Sequence, residues 1–330
     1  RKRPLDLIFF PMIDDLPSDL NFAQDHRACP TVTATPAAVK AAFTKESDVF
    51  AELGIRYLDP IINAATPRLY SRQMWNCFRD LLGLSAREHE RACEQALAAQ
   101  SRFNDSLRRQ GRQVLDQLEA QGGIGIVLLA RPYHNDPGLN HEILEEFQKL
   151  GYPVLTAASL PLDEDMLQRL FGDDVARGTI RGLMDIGDAW KNSYSENTSQ
   201  KLWAAKYAAR HPNLVALELS NFKCGHDAPT YAAVEEIVTR SGTPYFSFKD
   251  IDENRPVGSI KIRVETISYF LKRYREDFVA RKAQKAGIEE QLKQFEARLR
   301  AELSNGAATP GPLEHERAEQ AQEQTGSPLR

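Results

Sequence analysis

The sequence predicts an α/β fold built on mostly parallel sheet, and three kinds of observation lead there. Short, nearly continuous apolar runs fit strands buried on both faces. Stretches of helical period lie between them, and Gly, Pro and capping residues mark the joins. Strands and helices therefore alternate along the 330 residues, the pattern of a sheet with crossover helices.

The first apolar run is Leu5 to Ile13 (L-D-L-I-F-F-P-M-I). A polar loop follows, then C-P-T-V-T-A-T-P before A-A-V-K-A-A-F, where Thr35 reads as an N-cap and Pro36 as the first helical residue. Gln73 to Leu82 has helical spacing. Ser85 with Glu88 forms a capping box that opens a long helix, interrupted early only by Gly111 and ended by Gly122-Gly123. Ile124 to Ala130 (I-G-I-V-L-L-A) is a second buried strand, followed by the loop R-P-Y-H-N-D-P-G. Asn140 is placed to cap the next helix, and Pro153 to Thr156 resumes as strand, which completes a βαβ unit. Helices are expected over Asp163 to Phe171, Gln200 to Arg210, Thr230 to Arg240 and Ile260 to Arg273. Strands are expected over Leu214 to Leu219 and Pro244 to Phe248.

The alternation pauses at the long helix, which predicts two lobes: an N-terminal α/β lobe over 1–84 that carries Cys29, and a C-terminal α/β lobe over 122–275, joined by the helix 85–121. Residues 276–330 turn polar, first as an exposed helix to about Leu303 and then as a tail of disordered composition.

Lys and Arg number 42 against 46 Asp and Glu, without a basic cluster, so charge gives no argument for nucleic acid or an anionic membrane as partner. No run of about 18 apolar residues is present to span a bilayer. The four cysteines (Cys29, Cys77, Cys93, Cys224) are too few for a disulfide framework and point to a reducing, cytoplasmic compartment. The chain does not start with Met, which suggests a piece of a longer or processed protein. No Walker-type phosphate loop occurs, and Gly122-Gly123-Ile124-Gly125 precedes its strand, so it is not a dinucleotide fingerprint.

Ligands of open α/β sheets sit at the carboxyl ends of the strands. Three loops qualify. One holds Cys29-Pro30; the second is Arg131 to Gly138; the third is Lys223 to Ala228, within N-F-K-C-G-H-D-A-P-T. In the second, Arg131 suits a phosphate or carboxylate, and Tyr133, His134 and Asp136 suit substrate orientation or proton transfer; the two prolines and glycine equally suit a stiff turn. His141 opens the helix beyond. In the third, Cys224 lies between strand and helix, Gly225 allows close backbone approach, and Asp227 can cap the helix. A capped turn with a buried thiol is the plain alternative. Cys77 and Cys93 lie in helical patterns and read as packing residues.

Taken together, F-F-P-M-I, C-P-T-V-T, A-R-P-Y-H-N-D-P-G-L-N-H, N-F-K-C-G-H-D-A and I-D-E-N-R-P-V-G-S-I-K-I-R occur in an order that resembles the C-terminal region of the large CoA-substrate-specific enzyme activases, the activators of 2-hydroxyglutaryl-CoA dehydratase type. That region is itself similar to subunits of 2-hydroxyacyl-CoA dehydratases and double-cubane-cluster proteins. The resemblance implies Rossmann-like lobes, with Cys29 and Cys224 as ligands of an iron–sulfur cluster (4Fe-4S or double cubane) shared with upstream residues or a partner. His226 is a further candidate ligand. It implies substrate-side or surrounding roles for Arg131, Tyr133, His134, Asp136, His141, Asp227, Asp252 and Glu253. The partner it implies is an ATPase activase module, upstream or on another chain, with an acyl-CoA as substrate. The expected function is relay of low-potential electrons for radical (R)-2-hydroxyacyl-CoA dehydration or a related reduction. The rival expectation is a partner-binding module that keeps the fold without a cluster.

Overall fold

The computed structural model describes residues 5–220, 224–249 and 257–306. They confirm the α/β class, with every strand pairing parallel. Residues 1–272 form one compact unit, and 273–330 a second.

The N-terminal portion differs in detail from the sequence expectation. The run Leu5 to Ile13 is two strands, β1 (Leu7–Phe9) and β2 (Met12–Asp15), broken at Phe10-Pro11. Helix α1 (Pro30–Phe43) starts six residues before the expected Pro36. Cys29 is its N-cap residue and Pro30 supplies the pre-set first helical φ. Pro36 lies inside the helix, where the Thr35 hydroxyl donates back to the Thr31 carbonyl at 2.7 Å. After the short α2 (Val49–Glu52) come two strands that the sequence reading did not find, β3 (Arg56–Leu58) and β4 (Ile61–Asn63). The first pairs with β1 and the second with β2.

Helix α3 (Pro67–Leu82) leads to α4 (Ala86–Gln121), whose capping box between Ser85 and Glu88 and left-handed end at Gly122 match expectation. Gly111 does not interrupt it. A Cβ at Gly111 would lie 1.8 Å from the Ser159 carbonyl oxygen, so glycine there admits a close backbone approach.

The main sheet begins with β5 (Gly125–Leu129), buried throughout. A 3-10 turn (Pro132–Asn135) and α5 (Pro137–Asn140) follow. Asn140 does not cap the next helix, as expected from sequence; its side chain donates to the His134 carbonyl at 3.0 Å. His141 and Glu142 take left-handed conformations before α6 (Ile143–Lys149), so His141 ends α5 and does not open α6. Then come β6 (Val154–Thr156), α7 (Glu164–Ala176), α8 (Glu196–Arg210), β7 (Leu214–Leu219), α9 (Tyr231–Arg240) and β8 (Tyr245–Phe248). The sheet order β6-β5-β7-β8 puts the fully buried β5 and β7 at its centre. Leu115, Val127, Leu129, Phe171, Leu202, Trp203, Tyr207 and Leu214 belong to the core around it.

Helix α10 (Val257–Gly306) begins in the first unit, where Ile260, Val264 and Leu271 are buried. In the second unit it is exposed over most of its described length, as the polar composition predicted. Among the described residues no helix is long and apolar enough to cross a membrane. Asp252, Glu253 and Lys223 lie outside the described residues.

Candidate functional site

The segment before α1 is tied to the start of α8 by backbone pairing. Gln24 and Arg27 donate their amides to the Ser193 and Tyr194 carbonyls at 2.7 and 2.8 Å, and the Glu196 amide donates to the Arg27 carbonyl at 3.1 Å. His26 Nδ1 meets the buried Glu196 carboxylate at 2.6 Å. Arg27 faces the carboxylates of Asp14, Asp15 and Asp25. This strap leads directly into Cys29, two residues on from Arg27.

Arg131, at the end of β5, reaches the same place. It is 2% exposed, and its Nη1 donates to the Thr198 hydroxyl, in the first turn of α8, at 3.2 Å. Thr198 Oγ1 in turn lies 3.1 Å from the His226 carbonyl. Three loops therefore meet around Arg131: Cys29 from the first, Arg131 itself from the second, and His226 from the third. Partial burial pushes the Cys29 thiol up, but the Val32 and Thr31 amides at the start of α1 and the Arg131 guanidinium outweigh it and leave the thiol below its usual range. His226 is held below its ordinary value by burial and then by Arg131. Cys224, half-buried, closes a tight turn in which its carbonyl accepts the Asp227 and Ala228 amides at 3.1 and 3.0 Å.

Beneath these groups lies a buried charge network. Lys201 of α8 is fully buried; it pairs with Glu218 of β7, and its Nζ lies 3.1 Å from each Asp227 carboxylate oxygen. Tyr245 donates to Glu218, and Lys201 sits 4.8 Å from the Tyr231 ring centroid. Burial raises both tyrosines, which stay protonated. Asp227 thus spends its carboxylate on Lys201, not on capping the following helix as expected. His134 is 2% exposed beside this network. Burial holds it down at about 4; Asp227 acts the other way, and Lys201 and Arg131 add to the depression. It is therefore neutral at ordinary pH.

The structure brings together Cys29, Arg131, His134 and Asp227 of the sequence candidates. Asp136 is exposed and caps α5 by accepting the Gly138 and Leu139 amides at 2.8 and 3.2 Å. The Tyr133 ring packs against His134 with centroids 4.5 Å apart and planes tilted by 57°. Sequence reasoning missed Thr198, Lys201 and Glu218. Glu218 carried a usable signal: a carboxylate inside L-V-A-L-E-L needs a buried cation, and the structure supplies Lys201 on the buried helix α8. Cys93 lies 3.4 Å from His89 Nε2 between α3 and α4, outside this site.

As a metal centre, the donor set is partial. A cubane cluster takes four thiolates as a rule. The described residues contain no group of three or more His, Cys, Asp and Glu side chains arranged to hold a metal ion. The Cys29 thiol is held below its usual range, but the described residues do not by themselves make up a cluster site.

Neither curated proteins nor solved structures gave a match to this chain. A family model described as "CoA enzyme activase uncharacterised domain" matches residues 1–160, a stretch that includes Cys29, Arg131 and His134 but ends before Thr198, Lys201 and Cys224. Over that stretch, just under half of the chain, the sequence matches the CoA enzyme activase family.

Proposed function

We propose that this chain is the electron-relay component of a CoA enzyme activase system, and that Cys29 and Cys224 contribute two thiolates to an iron–sulfur cluster completed by ligands outside the described residues. The observation that carries the reading is the setting of Cys29: a half-buried thiol held by two helix-start amides and a buried arginine, which Thr198 links to the His226 carbonyl two residues beyond Cys224. When bound, such a cluster supplies one-electron chemistry at low potential. The residues of the chain do the rest: Arg131 offsets thiolate charge, Thr198 holds Arg131, and neutral His134 avoids a further buried cation beside it. The system served would be (R)-2-hydroxyacyl-CoA dehydration or a related reduction. An ATPase activase module would supply the electron's driving force.

The second reading is a partner-binding module with packed cysteines and no cluster. The absence of a three-ligand group among the described residues favours it. Iron and acid-labile sulfide analysis decides between the two, done anaerobically after reconstitution of the full chain with its ATPase partner. The first reading expects iron and sulfide with a visible charge-transfer band, both lost in Cys29→Ser and in Cys224→Ser. A colourless, iron-free complex would leave the second.

A further inference from the structure

Arg131 carries more than a role beside Cys29. It is almost wholly buried, and while Nη1 is held by Thr198, its Nη2 has no hydrogen-bond partner. Among the described residues no carboxylate pairs with it, and the acidic group beside it is the Cys29 thiol. Lys201 nearby is already saturated by Glu218 and Asp227, so those two acids do not neutralise Arg131. An arginine buried without an oxyanion partner is costly to a fold, and its planar fork fits a carboxylate or a phosphate.

The surroundings form a built cavity. Arg131 and Lys201 line a space of about 80 Å³, together with Asn135, Thr156, Asn197 and Gln200. That is room for on the order of five waters, or for one small oxyanion. Ala157, Ala158, Asn197 and Gln200 also line a second cavity of about 520 Å³, whose wall includes Leu97, Leu162, Met184 and Trp203. The two spaces thus share a wall, one polar and cationic, the other wider and partly apolar.

We infer that Arg131 is the floor of an oxyanion-binding subsite, which seats the carboxylate or phosphate of a small organic acid whose body extends into the wider cavity. Thr198 is a positioning residue: its hydroxyl accepts from Nη1 and leaves Nη2 for the ligand. Asn197 and Gln200, on the first turns of α8, add polar contacts at a helix start that favours anions.

The test is calorimetric titration of the metal-free full chain with acetate, butyrate and inorganic phosphate at constant ionic strength, against chloride. Iron plays no part in this readout, so its outcome is separate from that of the cluster proposal. Saturable binding of at least one oxyanion is expected, weaker by about tenfold or more in Arg131→Gln. The ranking of butyrate, acetate and phosphate tells an apolar-tailed carboxylate from a phosphate. Ala158→Leu, an exposed position that lines both cavities, should weaken the same ligand without unfolding the chain, and it decides the matter alone if Arg131→Gln does not fold. Absence of saturable binding for all three anions, or binding by folded Arg131→Gln and by Ala158→Leu equal to that of the unaltered chain, would overturn the subsite.

Discussion

Lys201 holds two carboxylates, Glu218 and Asp227, in a region with no exposure for any of the three to escape to. The Coulomb gain of such a group is largely offset by its desolvation, but removal of one partner leaves the others uncompensated. Lys201→Met should therefore cost about 3–5 kcal/mol in urea unfolding, and Glu218→Gln added to it should return part of that loss. A loss below about 1 kcal/mol would mean that the carboxylates find protons or water more easily than their burial implies. The thiols offer a second residue-scale contrast. Burial alone raises Cys77, whereas Cys29 is lowered on balance by its amides and Arg131. Iodoacetamide near neutral pH should label Cys29 before Cys77 in the folded chain, read by peptide mass mapping. Equal rates, or the reverse order, would remove the electrostatic account of Cys29.

At the scale of elements, α4 and the 3-10 turn Ala157–Ser159 meet at Gly111. Alanine in an open helix position gains about 1 kcal/mol over glycine. Here its methyl would meet the Ser159 carbonyl, and backbone does not yield as a flexible side chain does. Gly111→Ala should therefore destabilise the chain by about 1–3 kcal/mol despite better helix propensity, measured by thermal and urea unfolding. A gain in stability would show that the approach relaxes at little cost. Gly111 also shows how sequence signals divide. The helix around it was legible because capping box and terminal glycine are local devices, and β5 and β7 were legible because fully buried strands need unbroken apolar runs. The start of α1 was not: Thr35-Pro36 imitates a helix start, and the true one at Cys29-Pro30 follows the strap that pairs residues 24–27 with 193–196. Strands β3 and β4 have three residues each, too few for periodicity to register. At the site, R-P-Y-H was legible as a polar loop after a strand. The link from Arg131 to Thr198 was not, since 67 residues separate them.

Across the whole molecule, two buried histidines tie stability to pH. Burial holds His134 at about 4, opposed by Asp227 and assisted by Lys201 and Arg131. Burial likewise holds His211 at about 4, opposed by Glu119 at 3.0 Å and assisted by Arg169. In the unfolded chain both protonate near about 6.5. Between that value and about 4 the unfolded state binds protons that the folded state refuses, so stability present above neutral pH is lost as pH falls. Each histidine contributes a slope approaching about 1.4 kcal/mol per pH unit inside that window, and none below it. Urea unfolding at several pH values should show the combined decline. His134→Leu keeps an apolar group in the buried position but cannot titrate. It should reduce the slope by about half while the remainder, from His211, persists. If His134→Leu loses stability toward acid as steeply as the unaltered chain, His134 is protonated in the fold at higher pH than its burial allows. The reading of it as the neutral neighbour of Arg131 would then fail as well.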